Sequence, residues 1–210
     1  MSKSLLFSLV VLMGVAGLST SCRWRTTKNA LKHGEVLKSS INSFEKNRSK
    51  LADRIVETLE EAETALTESD PNLPEVSKDF EREWTVIQNR YDKLKKDFEE
   101  VGSSSTAYFD KLNELSGNIN QEALRKEELA KNEALRKRWE KTYQEASANV
   151  QKVTTVLEEG NDFHMVLVAS SIRQKLEQNV VELRRIADQA KALLADLESF
   201  TQAGRELVEG

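Results

Sequence analysis

Few side chains in this 210-residue chain are of a type and spacing that could do chemistry. There is one cysteine, Cys22, and there are two histidines, His33 and His164. A helical bundle can hold paired metals on inward glutamates and a Glu-x-x-His step. Here Ala30 and Asn161 stand three residues before the two histidines, so that step is missing. There is also no HExxH, P-loop, GxGxxG or GxSxG pattern. His164 reads as a capping or packing residue after Asn161-Asp162. Phe80, Trp84, Tyr91 and Phe98 could line a ligand groove, although aromatics at helical spacing more often form core. Arg48 interrupts an apolar seam and is the one internal charge to inspect; its long stem can pack while its head reaches water. No catalytic, metal or cofactor-binding residue is assigned.

Cys22 closes the stretch Leu18-Ser19-Thr20-Ser21-Cys22. Lys3 and an apolar run of about fourteen residues, Leu5 to Leu18, precede it in the order of a secretory leader. That run falls short of the roughly 20 residues needed to span a bilayer. The stretch resembles the lipoprotein box of bacterial precursors, whose terminal cysteine becomes the lipid-modified N-terminus. Thr20 and Ser21 suit the box, and Ser19 departs from it, because Leu18 lies one residue early. The other reading is an ordinary signal peptide cut nearby, with Cys22 incidental. An exported chain with one unpaired thiol is unusual, and a thioether at Cys22 removes the anomaly. Residues 1–21 are therefore expected to be a signal peptide, and 22–26 a lipid anchor with a short basic linker. Arg23, Arg25, Lys28 and Lys32, with Trp24 among them, suit either an anionic headgroup layer or a solvated linker. Arg23 stands where an aspartate marks inner-membrane retention in some bacteria, which points towards the outer membrane.

The elements that must position these residues are helical. Charged residues make up 31% of the chain, against 8 glycines and 2 prolines, a composition of long helices. The formal charge of −4 argues against nucleic-acid binding. From about Thr27 apolar residues recur at alternating steps of four and three. Leu37, Ile41, Phe44, Leu51, Ile55, Ala62 and Ala65 mark the first helix, interrupted by Arg48 and Thr58. Asp70-Pro71-Asn72-Leu73-Pro74 ends it near Ser69, since proline disfavours helix in the residue before it.

The second helix starts near Glu75 and carries Phe80, Trp84, Ile87, Tyr91, Leu94, Phe98 and Val101. Gly102-Ser103-Ser104-Ser105 has loop composition, but Tyr108, Leu112, Leu115 and Ile119 keep the same phase. The stretch is read as a weak spot within one helix, with the turn at Ser116-Gly117-Asn118. The third helix is expected from about Asn120 to Glu159. Its charged first half, Glu122 to Lys141, reads as a solvated face with pairs such as Glu127–Lys131 and Glu133–Lys137. Trp139, Ala146, Val150, Val153 and Leu157 then restore an apolar stripe. Gly160-Asn161-Asp162 reads as a C-terminal glycine and the next N-cap. A fourth helix would open with a buried Phe163–Val168 and continue through Leu176, Val180, Leu183, Ala187, Ala190, Leu194 and Leu197.

Four helices of about 40–47 residues, roughly 60–70 Å each, imply an all-α fold. The expected form is an elongated antiparallel bundle over residues 27–208 with coiled-coil-like packing. Tyr91-Asp92-Lys93-Leu94, Asp97-Phe98-Glu99 and Tyr143–Leu157 leading into Asp162–Ile172 resemble an uncharacterised family of bacterial, predicted-coiled-coil envelope lipoproteins. The resemblance covers roughly residues 23–203, weakest at Gly102–Ser105 and Glu122–Lys141, and implies no catalytic residues. The expectation is a non-enzymatic lipoprotein of the bacterial envelope facing the periplasm. It would be held to the membrane by lipidated Cys22 and serve as a scaffold or partner-binding module. A protein partner or self-association through the helices is expected. The alternative is a soluble periplasmic holdase or ligand carrier using the aromatic stripe.

Overall fold

The computed structural model describes the backbone of residues 19–173 and 179–209 and the side chains of residues 31–173 and 180–209. Four helices follow in order: α1 (Ser19–Leu66), α2 (Leu73–Gly117), α3 (Glu122–Arg173) and α4 (Asn179–Glu209). No β-strand occurs among the described residues. The chain is an all-α bundle in which α1 packs on α2 and α4, and α3 packs on α2 and α4. The backbones of the diagonal pairs α1/α3 and α2/α4 do not approach each other, and across the core side chains such as Phe98 of α2 and Phe200 of α4 meet, so the helices form a square ring around one core.

Every neighbouring pair runs antiparallel. Ser40 and Asn47 of α1 meet Ser104 and Asp97 of α2. Trp84 and Tyr91 of α2 meet Leu157 and Val150 of α3. Glu159 of α3 meets Arg185 of α4, while Phe200, further along α4, meets Trp139, earlier in α3. Lys38 and Glu63 of α1 meet Glu209 and Arg184 of α4.

The seams expected from the four-three spacing form the core. Leu37, Ile41, Phe44, Leu51 and Ile55 of α1 are fully shielded, as are Ile87, Leu94 and Val101 of α2. Each such side chain contributes about 1.5–3 kcal/mol on leaving water. The α1–α2 turn falls at the two prolines. Asn72 caps α2 by accepting from the Glu75 backbone N–H at 3.4 Å and donating to the Glu75 carboxylate at 2.9 Å. This reciprocal cap satisfies an orphan donor of the first turn. α2 runs unbroken through Gly102–Ser105 and stops at Gly117, where Asn118 donates back to Leu115 at 3.2 Å.

Several expectations change. The helix over Gly160 does not end there, because α3 continues to Arg173. The helices are consequently unequal, with 52 residues in α3 and 31 in α4. Asn161 is a mid-helix residue whose side chain accepts from Gln88 of α2 at 3.0 Å, so no N-cap forms there. Phe163 and Leu167 are buried as expected, but Met165 is 63% exposed and Val166 40%. Leu176 lies outside the described residues.

At its start α1 takes in the stretch expected as a linker, since its backbone is helical from Ser19. α4 stops opposite Lys38, while α2 and α3 run on past that level to their joining turn. The first turns of α3 thus lack a covering neighbour on one side. No residue from Glu122 to Arg138 is buried. The charged run is a solvated face, with Lys131–Glu127 at 2.8 Å and Lys137–Glu133 at 3.4 Å.

Candidate functional site

Cys22 sits in the first turns of α1, at the same end of the bundle as the α2–α3 turn. Its side chain lies outside the described residues, as do residues 1–18 of the expected signal peptide. None of the described helices is long and apolar enough to cross a membrane. The opposite end holds the α1–α2 turn, the C-terminus of α3 and the start of α4. There Ile172 is 78% exposed and Val181 71%. Met165 lies seven residues before Ile172, two turns back on the same helical face. Large exposed apolar side chains mark a surface that another molecule covers where they form a contiguous patch.

Arg48 is held inside the bundle. Its Nε and Nη2 donate to the two carboxylate oxygens of Glu45, each at 2.7 Å. Nη1 donates to the Leu194 carbonyl of α4 at 2.8 Å, and Glu198 stands 3.5 Å away. Thr201 of α4 donates its hydroxyl to Glu45 at 3.0 Å. Burial pushes the Glu45 carboxyl up, but hydrogen bonds from Arg48 and Thr201 and the Arg48 charge outweigh it and leave it below the ordinary value. The Glu45 hydrogen bond raises the Arg48 guanidinium in turn, against the effect of burial. A guanidinium with these acceptors has no free donor face for a substrate. Its role is to fix α4 against α1.

One residue before Arg48, on the α2 side, Asn47 donates to Asp97, both of them buried. This pair does for α1 and α2 what Arg48 does for α1 and α4. Sequence reasoning overlooked it, because Asn47 and Asp97 flank the seam positions Arg48 and Phe98 rather than interrupt them.

The aromatic stripe is core. Trp84 is 2% exposed and donates its indole N–H to the Leu157 carbonyl at 3.1 Å. Tyr91 donates to the Val150 carbonyl at 2.9 Å. Phe98 stacks on Tyr143 with centroids 4.4 Å apart. His164, part of the α3 interior rather than a cap, faces Phe80 with centroids 6.4 Å apart. No group of three or more His, Cys, Asp or Glu among the described residues is placed to hold a metal ion.

Comparison of the chain with protein-family models, with curated proteins and with solved structures found no match.

Proposed function

We propose that the chain is a non-enzymatic lipoprotein of a bacterial envelope, tethered through Cys22, whose helical rod presents its far end to a protein partner. The single observation that supports this most is the polarity of the rod. The residue that a leader pattern marks for lipidation stands at one end, and the exposed Met165, Ile172 and Val181 stand towards the other. A helix of 52 residues separates the two by roughly 70–80 Å. Two or three acyl chains, at about 0.8 kcal/mol per buried CH₂, hold such a rod firmly. Because Arg23 follows the cysteine, the outer membrane is the favoured address.

The experiment is incorporation of a clickable fatty acid into the wild type and Cys22→Ser, followed by membrane fractionation. Label on the wild type alone, with the mutant accumulating as precursor, supports the tether. No label on either, with mature protein in the soluble fraction, overturns it. The reading as a soluble carrier on the aromatic stripe would require the bundle to open, since Trp84 is sealed against α3.

A further inference from the structure

The four-helix cross-section ends before the bundle does. Glu209, at the end of α4, accepts from Lys38 of α1 at 2.7 Å, while α1 begins at Ser19 and α2 and α3 run on to their turn. Beyond that level the core seam of α2 keeps its period in Tyr108, Leu112, Leu115 and Ile119. These four are only half-buried, whereas Ile87, Leu94 and Val101 of the same seam are sealed. The cover that is missing is that of α4. Leu31 of α1 stands one heptad before Lys38 and two before Glu45, both bonded to α4, and so shares their face. It is 63% exposed. Leu124 of α3 stands five heptads before Glu159, which pairs with Arg185 of α4, and is 42% exposed. The result is a three-helix trough at the Cys22 end, with an apolar floor and an apolar leucine on each rim. It continues the face that α4 covers in the rest of the bundle.

We propose that a second copy of this chain covers the trough, so that two rods pair side by side at the Cys22 end. A face with the heptad spacing of an internal helix contact is covered by another helix laid along it. The charges around Leu124 are paired within α3, Lys126 with Glu122 and Lys131 with Glu127 and Glu128, each at 2.8 Å. They call for no charged ligand and leave apolar contact to join the two surfaces. Leu31 lies on the edge of α1, so that across a twofold axis the α1 of each copy is both a rim of its own trough and a filler of the other. That self-complementarity is what a contact between identical surfaces requires. The choice of a copy over another helix rests on the tether proposed above, since anchors at Cys22 in one membrane hold the troughs of neighbouring copies at one height.

The test co-expresses two differently tagged copies with a benzophenone side chain at residue 31, at residue 124 or, as a control on an exposed face of α2, at residue 86. After irradiation of intact cells, a product of dimer mass carrying both tags is expected from residues 31 and 124 and not from residue 86. The protein as the cell makes it is then purified in a density-matched detergent, and its mass is measured by sedimentation equilibrium. A dimer is expected. Leu31→Glu with Leu124→Glu should weaken it at least about tenfold, with the melting temperature kept because both side chains already stand in water. Val86→Glu should leave it unchanged. A monomer at every concentration, equal weakening by Val86→Glu, or crosslinks only to lipid or to a different protein overturns the inference. Should the double variant fail to fold, the crosslinks on the otherwise unaltered chain decide. Fatty-acid labelling reports the tether separately: a dimer without label keeps the pairing and removes the anchor, and label on a monomer does the reverse.

Discussion

Gly160 of α3 lies directly beneath the indole of Trp84 of α2, so close that a Cβ at residue 160 would overlap the ring. One turn earlier on α3, the Leu157 carbonyl accepts the indole N–H at 3.1 Å. The glycine is a notch in a continuous helix. It lets the largest fully buried side chain reach a backbone acceptor without parting α2 from α3. Gly160→Ala should therefore lower stability by about 2 kcal/mol, the usual cost of overpacking a tight core, despite alanine's better helix propensity. Urea denaturation followed by tryptophan fluorescence measures it. A stabilised Gly160→Ala protein would show that the ring moves aside freely.

Gly102 makes a graded comparison. A Cβ there would stand 2.5 Å from the Tyr143 hydroxyl oxygen, which is the far end of a side chain that can shift. Gly102→Ala gains about 1 kcal/mol of helix propensity and loses the 3.4 Å bond from Tyr143 to the Phe98 carbonyl. Its midpoint in the same urea titration should stay near wild type, well above that of Gly160→Ala.

Arg48→Ala leaves the half-buried Glu45 without its main partner and should cost about 3 kcal/mol. Replacing both, Arg48→Met with Glu45→Leu, should recover most of that loss, because an apolar pair leaves no uncompensated charge. A double-mutant cycle in urea measures the coupling. Equal destabilisation by the single and double variants would mean that the ion pair itself holds the helices together.

The same pair sets a pH dependence. The Glu45 carboxyl titrates below its ordinary value in the folded protein, so its contribution is present in full above pH 4.5 and declines as pH falls through the lowered folded value. Wild type should lose stability on acidification from about pH 5. In Glu45→Gln that part of the decline should be missing, which thermal melts across pH 3–7 will show.

Thr58→Val replaces an orphan hydroxyl with a methyl group of the same shape and should raise stability by about 1 kcal/mol. Ile172→Ser alters a side chain that water already surrounds and should leave stability within about 0.5 kcal/mol. A photo-crosslinker at residue 172 is expected to capture a partner in intact envelopes. Capture that is unchanged when Met165 and Val181 are made polar would argue against the apolar tip as its contact.

The helices, their seams and two of their turns were legible in the sequence. A period of four and three residues puts Leu37, Ile41 and Phe44 on one stripe whatever packs against it. Pro71 and Pro74 restrict the backbone locally, and Asn118 follows a glycine that no neighbour crowds. The charged run of α3 was legible for the same reason, since partners four residues apart meet on the helix itself.

What only the tertiary structure decided depends on atoms from a second helix. A glycine in helical sequence reads equally as an end or as a notch, and at Gly160 the Trp84 ring across the interface settles which. Met165 and Phe163 belong to one apolar run, but only the placement of α2 and α4 leaves one in water and buries the other. Arg48 interrupts the seam in any reading, yet Thr201 and the Leu194 carbonyl, about 150 residues away, make it a clasp. Local sequence carries the dihedral preferences and the periodicity, and neither specifies which distant side chains will meet.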